Sequence, residues 1–458
     1  MNRPPKTLAL SATQLMSAPS FAELLLRIGD RPGLVALDSA GGEPGDWSWI
    51  AWEPEVLALP MPNDLRELAA YMEQAPTLLS ANIPGPFQGG FLGALAYDSG
   101  VPGEAQTLPM DPWNWPGLVG GFYGRFFVFD HRKSRVFLVL PTGSSREPYE
   151  ELARAAVAGQ GDQELSFLCT NLHRKVTCAA HRARIEQARR EIAAGEYYQA
   201  NLAHVLLGET IGDPLALYME LRRVNPAPYM AYLRFPEGAL LSASPELLVE
   251  VQGRELLARP IKGTAARDAD ALRDRELAAG LLASEKDRAE LAMIVDLLRN
   301  DLGRVATVGS VQVHQFPELR SYPGVHHLMA DVRAELAAGQ SAVDVLHSVF
   351  PGGSITGAPK LRAMEAIGEL EGEGRGFFTG SAGFLDVAGN ACFNILIRTL
   401  QWRPAPAAGA EHGEVRFHVG GGITWSSNAQ DEDNETLVKG ANLARALGHQ
   451  LEVEPQRQ

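Results

Sequence analysis

The chain has 458 residues, of which 45% are apolar, so it can bury one large core or two ordinary cores and is not a single small domain. Its formal net charge of −14 at pH 7 argues against a nucleic-acid partner, because binding to a phosphate backbone requires clustered Lys and Arg. An anionic small molecule would therefore have to be held by a local group, such as a cation, an arginine or a patch of backbone N–H groups.

No run of about 18 apolar residues occurs, so the sequence predicts no membrane span and no membrane partner. The N-terminal residues lack the apolar segment of a secretory signal, and we expect a cytoplasmic protein. Cys169, Cys178 and Cys392 are odd in number and widely spaced, without a zinc-type pattern. We expect these three residues to be structural thiols.

The first part of the chain predicts short strands and loops with a few helices. Phe21–Ile28 has the apolar spacing of a short amphipathic helix, and residues 126–140 predict a β-hairpin with a polar turn. Residues 159–162 follow a polar helix and are taken as a boundary. The sequence is accordingly divided into residues 1–165 and residues 178–452.

The second part alternates helices with strands. Its clearest predicted elements are a helix at residues 181–194 that ends at Gly195, strands at residues 247–251, 394–400 and 414–419, and helices at residues 288–300, at residues 361–370 and from about residue 432. Arg398 lies in the strand predicted at residues 394–400. An arginine among apolar strand residues requires an anionic partner, which is either a protein carboxylate or a carboxylate of a ligand.

Lys262 stands out in a short segment that follows the strand at residues 247–251. Pro260 cannot donate to a sheet and Gly263 can adopt a positive φ, so we expect the lysine where a strand breaks off. A lysine whose pKa is lowered by burial could act as a nucleophile. The alternative is an ordinary solvated lysine at the end of a strand.

Two helices carry acidic residues that could meet at one cation. Ser284 can cap the first helix, in which Glu290 lies beside the apolar stripe. On the second helix, Glu432, Glu435 and Lys439 share one face through their i, i+3, i+7 spacing. Because these ligands are all oxygens, Mg²⁺ fits better than zinc, whereas the alternative is two solvated acidic helix faces.

A glycine-rich loop at residues 350–360 leads into the helix at residues 361–370. It contains Ser354, Thr356 and Gly357, and such a loop can offer backbone N–H groups and a helix N-terminus to an anion. The Gly-Lys-Ser/Thr of a nucleotide-binding P-loop is absent, so we expect this loop to bind a carboxylate rather than a nucleotide. Gly420, Gly421 and Gly422, at the end of a predicted strand, could offer a second set of accessible backbone N–H groups.

Several of these segments, taken in order, resemble the chorismate-utilising enzymes, a family that includes the anthranilate, isochorismate, salicylate and aminodeoxychorismate synthases. The resemblance runs from about residue 178 to the C-terminus through residues 196–202, 242–246, 260–264, 287–305, 325–328, 350–360, 380–386, 397–400 and 419–439. At the position of Lys262 the anthranilate and isochorismate branches typically carry alanine. A lysine there is similar to the aminodeoxychorismate branch, in which it is the covalent nucleophile.

The resemblance implies an α+β fold, a large β-sandwich of two sheets wrapped by helices, with both halves of the chain contributing strands. It implies that residues 1–165 form a region like the N-terminal part of anthranilate synthase component I, and that residues 178–452 form the chorismate-binding catalytic domain. It also implies that Glu246 is a general acid or base near the leaving hydroxyl. Glu290 and Glu435 would bind Mg²⁺, with Glu432 as an accessory ligand.

The same resemblance implies which other residues contact the substrate. These residues are Gly263, Thr264, His327, Ser354, Thr356, Gly357, Gly380, Arg398, Gly420, Gly421, Gly422 and Lys439. For His327 the alternative is an ordinary core histidine. In some members of the family a further pocket binds tryptophan, and it would include Ser39, Pro228, Tyr229 and Met230, although aromatic core packing is an equally good interpretation of that region.

The implied reaction is amination of chorismate at C4, with ammonia from a glutamine amidotransferase partner. No cysteine of this chain lies in the Gly-x-Cys-x-Gly elbow of a glutaminase. The first alternative is component I of anthranilate synthase, which aminates C2 and is favoured by Pro228, Tyr229 and Met230. A catalytically silent binding or regulatory subunit is the second alternative, and it would be expected to lack the acidic ligands.

Overall fold

The computed structural model describes residues 7–452, except residues 30, 32, 41–45, 58–64, 75, 82, 101–107, 160–164, 323–324, 406, 408 and 410. The boundary expected at residues 159–162 therefore lies largely outside the described residues. The helices in the described part are α1 (Phe21–Ile28), α2 (Arg66–Gln74), α3 (Glu147–Val157), α4 (Cys178–Ala193), α5 (Pro214–Val224), α6 (Ala271–Ala283), α7 (Glu285–Gly303), α8 (Ala342–Val349), α9 (Lys360–Glu371) and α10 (Ala429–Ala446), with 3₁₀ turns at Tyr97–Gly100 and Gly353–Ile355.

The strands fall into two groups along the chain. Those before α4 are β1 (Thr7–Gln14), β2 (Val35–Asp38), β3 (Trp47–Ala51), β4 (Val56–Leu57), β5 (Thr77–Ala81), β6 (Gly90–Leu95), β7 (Leu118–Tyr123), β8 (Phe126–Asp130), β9 (Arg135–Pro141) and β10 (Phe167–Arg174). Those after α4 are β11 (Gln199–Gly212), β12 (Tyr229–Phe235), β13 (Gly238–Ser244), β14 (Leu247–Gln252), β15 (Glu255–Arg259), β16 (Ile261–Ala266), β17 (Gln312–Tyr322), β18 (Val325–Glu335), β19 (Gly357–Ala358), β20 (Ser381–Asp386), β21 (Ala391–Asn394), β22 (Thr399–Pro404) and β23 (His412–Ile423).

The helices begin and end where local sequence chemistry allows. In α1, Ser20 and Glu23 form a reciprocal capping box, and Phe21, Leu24 and Ile28 are buried on one face. Ser284 caps α7 by accepting a hydrogen bond from the Asp287 N–H at 3.2 Å. Both acidic helices are longer than expected, since α7 reaches Gly303 and α10 already starts at Ala429.

The strands form two large sheets. The first has the order β10-β11-β23-β22-β13-β12-β2-β3-β8-β9-β1-β5, with β19 paired to β11. The second has the order β16-β18-β15-β14-β21-β20-β6-β7-β4, with β17 paired to β18. Neighbouring strands are antiparallel except for β1 and β5, which are parallel.

The main apolar core lies between the two sheets and joins residues of both. For example, the ring of Trp49 on β3 packs edge-on against Phe384 on β20, with ring centroids 5.5 Å apart. A second core lies between the first sheet and helices α1, α3, α5 and α10. The structure thus confirms the expected α+β class, with two sheets packed face to face and helices around them.

Each sheet contains strands from the early and the late part of the chain. In the first sheet β2 pairs with β12, and in the second sheet β6 pairs with β20. On β6 the backbones approach closely, because a Cβ at Gly93 would lie 2.2 Å from the Val119 carbonyl oxygen. The division into residues 1–165 and 178–452 remains a sequence-based prediction, and strands of both ranges belong to the same sheets.

None of the helices that the described residues form is long and apolar enough to cross a membrane.

The strands around Lys262 are held together by a buried ion pair. β15 and β16 pair with successive parts of β18 and are separated by Pro260, which has no N–H to donate. At this break the Arg259 guanidinium contacts the Asp331 carboxylate on β18 through two hydrogen bonds of 2.6 and 2.9 Å. Both residues are buried, so removal of one partner would leave an uncompensated charge.

We therefore expect Asp331→Ala to lower the free energy of unfolding by about 3–5 kcal/mol, as measured by urea denaturation. The matched control is Glu276→Ala, which breaks the exposed ion pair of Glu276 with Arg273 and should change stability by less than about 1 kcal/mol. Equal effects of the two substitutions would show that the Arg259–Asp331 pair does not hold this corner of the sheet.

Candidate active site

A cavity of about 770 Å³ brings together most of the predicted site residues. Its walls come from β16, β18, β23, the start of α7, one face of α10 and the loop before β19. The predicted residues that line it are Glu246, Lys262, Gly263, Thr264, Glu290, His327, Ser354, Arg398, Gly420, Gly422, Glu432, Glu435, Lys439 and Pro228. Those that do not line it are Thr356, Gly357, Gly380, Gly421, Ser39, Tyr229 and Met230.

Lys262 lies within β16, near its first residue, rather than at a free strand end. Gly263 has a φ of +78° and forms a bulge, so that Lys262 and Thr264 are paired with the consecutive residues Leu328 and His327 of β18. The Lys262 Nζ lies 3.4 Å from the carbonyl oxygen of Ser354. Burial lowers the pKa of Lys262, although nearby carboxylates partly oppose this shift. At a given pH, a larger fraction of this amine is therefore neutral than in an exposed lysine.

Glu246 follows β13 and is buried at the same cavity. Its Oε1 accepts a hydrogen bond of 2.7 Å from the Ser354 hydroxyl. Burial raises the pKa of Glu246, while the Ser354 hydrogen bond and the nearby Lys262 act to lower it. Ser354 therefore contacts both groups: its hydroxyl donates to the Glu246 carboxylate, and its carbonyl oxygen lies near the Lys262 amine. Because the pKa of Glu246 is raised, its carboxyl group holds a proton more readily than that of an exposed glutamate.

His327 faces the cavity from β18 and lies opposite Thr264 on β16. Its Nδ1 is 3.0 Å from the Thr264 hydroxyl oxygen, and its Nε2 is buried without a hydrogen-bond partner among the described residues. Burial and then the nearby Arg398 lower the pKa of His327 to about 4. The imidazole is therefore neutral near pH 7 and can hydrogen-bond a ligand without adding a positive charge.

Arg398 is not in a strand, and that prediction was wrong. β21 ends at Asn394 in the second sheet and β22 begins at Thr399 in the first sheet, so residues 395–398 cross from one sheet to the other. The φ of Arg398 is +51°, which cannot continue a strand. Its guanidinium makes no hydrogen bond or ion pair with any described residue, and burial lowers its pKa, with Glu246 acting in the opposite direction.

Three carboxylates approach one another at one end of the cavity, from α7 and α10. Glu290 Oε1 and Glu432 Oε1 lie 4.0 and 3.8 Å from the Lys286 Nζ, and Glu435 Oε1 accepts a hydrogen bond of 2.8 Å from Lys439. Burial raises the pKa of Glu432. Burial acts to raise the pKa of Glu435 as well, but Lys439 and Lys286 hold it below its ordinary value.

The same three carboxylates do not yet form a tight ligand set, because their oxygen atoms do not all lie within 4.8 Å of one another. They are all oxygen donors, and among the described residues their ion-pair partners are lysines and not arginines. This donor set fits a hard divalent cation that keeps several waters.

The glycine-rich loop contributes less to the cavity than expected. Ser354 lines the cavity, but residues 356–360, which include β19 and the first residue of α9, do not line it. Thr356 is buried and donates to the Gly352 carbonyl oxygen at 3.0 Å. A Cβ at Gly357 would lie 2.0 Å from the Gln199 carbonyl oxygen, so this glycine allows close backbone approach. The expected anion site at the N-terminus of α9 is therefore not part of this cavity.

Two further glycines stand away from the cavity for similar reasons. A Cβ at Gly380 would lie 2.1 Å from the Leu95 carbonyl oxygen, between β6 and β20. Gly421 lies on β23, and a Cβ there would come within 3.5 Å of the Glu432 and Lys439 side chains. Gly380 is therefore required by backbone packing, and Gly421 leaves room for the charged face of α10.

The residues of the expected tryptophan pocket come together where β2 pairs with β12. The Ser39 hydroxyl lies 2.9 Å from the Trp47 carbonyl oxygen and 3.3 Å from that of Pro228, while Met230 pairs with Asp38. Tyr229 is the first residue of β12. Tryptophan binding at this position remains a prediction.

The sequence analysis missed Lys286, Asn201 and Asn225, which also line the cavity. Lys286 is one helical turn before Glu290, so its i, i+4 spacing to a proposed ligand is a signal that could have identified it. Asn201 lies in a segment of the family resemblance, but its exposure to the cavity depends on how β11 pairs with β23.

A second cluster of possible metal ligands lies behind α10. His181, His204 and Asp433 are buried, and it is the one group of three among the described residues whose ligand atoms lie within 4.8 Å of one another. The Asp433 carboxylate is already bound by Arg174 at 2.7 Å, His181 at 2.8 Å and Arg182 at 3.2 Å. Because the Asp433 carboxylate is already neutralised by these groups, the cluster is a poor cation site. The same contacts hold α10 against β10 and α4.

Comparison with known proteins gives a consistent result. A family model described as chorismate binding enzyme matches residues 47–445. "Aminodeoxychorismate synthase component 1" of Bacillus subtilis (strain 168) is 35% identical over 395 residues, covering 84% of this chain and 82% of that protein. The protein of the same name in Escherichia coli (strain K12) is 36% identical over 387 residues, covering 84% and 83%.

Members of the anthranilate branch are similar to this chain at comparable identity. "Anthranilate synthase component 1" of Streptomyces coelicolor is 37% identical over 395 residues, covering 80% of this chain and 75% of that protein. The crystal structure of anthranilate synthase component I from Streptococcus pneumoniae TIGR4 superimposes with a TM-score of 0.72 at 29% identity, covering 87% of this chain and 92% of that one. The family model and these identities show that the chain belongs to the chorismate-binding enzymes.

Proposed function

We propose that the protein is component I of an aminodeoxychorismate synthase, which aminates chorismate at C4 to give 4-amino-4-deoxychorismate for p-aminobenzoate and folate synthesis. The observation that carries this proposal is Lys262, a lysine of lowered pKa inside the cavity. The family resemblance implies that enzymes aminating C2 typically carry alanine there. The names of several relatives support the same choice.

The proposed reaction begins when the neutral amine of Lys262 attacks C2 of chorismate and the C4 hydroxyl departs. Glu246, whose pKa is raised by burial, donates the proton with which that hydroxyl leaves as water. Ammonia then attacks C4, and the bond between C2 and Lys262 breaks to release the lysine amine. The Glu246 carboxylate takes up the proton that the new C4 ammonium group loses, so both residues are regenerated. The net reaction replaces the hydroxyl by an amino group and releases one water.

Chorismate carries two carboxylates, and the cavity offers a separate place for each. The guanidinium of Arg398 has no protein partner among the described residues, so it can hold one carboxylate in a fork of two hydrogen bonds. The charge of Arg398 lies close enough to His327 to lower the pKa of its imidazole, and the neutral imidazole offers a further polar contact. The backbone at Gly420 and Gly422 also lines the cavity.

The second carboxylate is proposed to lie near a Mg²⁺ held by Glu290 and Glu435, with Glu432 as an accessory ligand. When bound, the cation would neutralise substrate charge and help to orient the ring. The supporting observation is the all-oxygen donor set that α7 and α10 present to one cavity.

Ammonia is proposed to come from a separate glutamine amidotransferase subunit, in line with the "component 1" in the relatives' names. The thiols of this chain are poor candidates for a glutaminase nucleophile. Burial raises the pKa of Cys169 to about 11, and burial also raises that of Cys392 well above its ordinary value.

Anthranilate synthase component I is the second candidate, since it shares the fold and is nearly as similar in sequence. Pro228, Tyr229 and Met230 favour it, whereas Lys262 argues against it. A catalytically silent subunit is disfavoured because Glu290, Glu432 and Glu435 all line the cavity.

The test of the proposed function is incubation with chorismate, ammonium and Mg²⁺, followed by identification of the product by mass and ultraviolet spectrum. We expect 4-amino-4-deoxychorismate. Without ammonia, a protein adduct with the mass of chorismate minus water should appear on the peptide that contains Lys262 and be absent in Lys262→Ala. The control Lys133→Ala changes an exposed lysine and should keep both adduct and activity. Wild-type rates of the same product from Lys262→Ala, with no adduct in either protein, would exclude covalent catalysis.

Metal dependence is tested with Glu290→Gln, which removes a charged oxygen ligand without a change in size. We expect kcat/KM to fall by at least about 100-fold and Mn²⁺ binding to be lost, while the circular dichroism spectrum stays the same. Glu285→Gln is the matched control, because this exposed carboxylate lies on the same helix but does not line the cavity. Full activity of the wild type in excess EDTA would refute the metal assignment.

The role of Glu246 is tested through Ser354→Ala, which removes the hydrogen bond that stabilises its carboxylate. The pKa of Glu246 should then rise, because burial is no longer opposed by this contact. Since a general acid must be protonated, the limb on which kcat/KM falls with increasing pH should move to higher pH. A pH–rate profile identical to that of the wild type and of the control Ser310→Ala would contradict the role of Glu246 as the acid.

A further inference from the structure

Lys286 lies between two carboxylates of the proposed cation site. It is in the first turn of α7, and its Nζ is 4.0 Å from Glu290 Oε1 and 3.8 Å from Glu432 Oε1. Both distances are longer than a hydrogen bond, so the ammonium group neutralises the pair without a fixed contact. About 57% of its side chain is exposed, which leaves it free to move into solvent.

Lys439, the other ammonium group of the cluster, is held differently. It donates to Glu435 Oε1 at 2.8 Å and to the Gly420 carbonyl oxygen at 3.1 Å, so two fixed contacts anchor it to α10 and β23. Of the two lysines, only Lys286 can leave without breaking a hydrogen bond.

Lys286 and a divalent cation would compete for the same two carboxylates. Both are positively charged, and both would lie beside Glu290 Oε1 and Glu432 Oε1. Two positive charges this close to each other repel, and the repulsion is screened less where the carboxylate is buried, as Glu432 is. Asp287 is a further carboxylate near Lys286 and attracts either positive group. The Glu290–Glu432 pair therefore favours one positive partner at a time, and no hydrogen bond holds Lys286 there.

We propose that Lys286 is an internal counter-ion of the Glu290–Glu432 pair, which it neutralises in the metal-free protein and leaves when a divalent cation binds. This inference rests on the proposed cation site and adds that the Lys286 ammonium group competes with the cation for the carboxylates of that site. Lys286 lowers the affinity for the cation, and the carboxylates stay partly neutralised before the cation arrives.

The test is titration of the metal-free protein with Mn²⁺, with free Mn²⁺ measured by electron paramagnetic resonance. We expect Lys286→Gln to bind Mn²⁺ about three- to tenfold more tightly than the wild type, because a screened positive charge has been removed. Lys286→Arg, which keeps the charge, should bind like the wild type. The matched control is Arg288→Gln, which removes an exposed positive charge from the same helix turn, away from the cavity, and should change affinity by less than about twofold.

Equal or weaker binding by Lys286→Gln, with an unchanged melting temperature, would overturn the inference and leave the cation site intact. Absence of Mn²⁺ binding by the wild type would overturn both the inference and the cation site, but not the Lys262 adduct, which is observed separately by mass. Amine labelling supplies a second readout. The rate of acetylation of Lys286 should increase when Mn²⁺ is present, and a decrease would contradict the proposed departure.

Discussion

The candidate site depends on the burial of Lys262, Glu246 and Arg398 in one cavity without direct ion pairs among them. Burial disfavours the charged form of each group, so it lowers the pKa of the lysine and the arginine and raises that of the glutamate. A direct ion pair between Lys262 and Glu246 would favour the charged forms of both and reverse these shifts. The Ser354 residue contacts both groups instead, and this arrangement allows a neutral amine and a protonated carboxyl group to coexist.

The fold supports this arrangement by bringing distant parts of the chain to one place. Residues 395–398 cross between the sheets and present Arg398, while the Pro260 break and the Gly263 bulge set the position of Lys262. The buried Arg259–Asp331 ion pair joins β15 to β18 next to this break. The cavity is therefore formed where regular strand pairing is interrupted. The regularly paired strands around it form the scaffold that positions these residues.

Much of the fold could be predicted from the sequence, because amphipathic spacing and capping are local properties. Phe21–Ile28 forms a helix with the expected bounds, and Ser284 caps α7 as expected. The Arg398 conformation could not be predicted, since apolar neighbours indicate a strand and only the tertiary path between two sheets requires a positive φ. The contribution of the glycine-rich loop to the cavity was overestimated for a related reason, since the close packing of Gly357 against the backbone of Gln199 depends on the tertiary structure. Pairing of Lys286 with Glu432 depends on two helices that lie far apart in the sequence.

Two adjacent residues of helix α10 have different roles, one at the cavity and one in the buried contacts behind it. Glu432 faces the cavity, whereas Asp433 faces the buried contacts with Arg174 and His181. Successive residues of an α-helix are rotated by about 100°, so both tasks depend on the same rotational phase of the helix. A single residue inserted or deleted between Asp433 and Lys439 would rotate both side chains by about 100° relative to Lys439 and the buried residues that follow it in α10. This part of α10 can therefore tolerate substitutions on its solvent side but not a change in length.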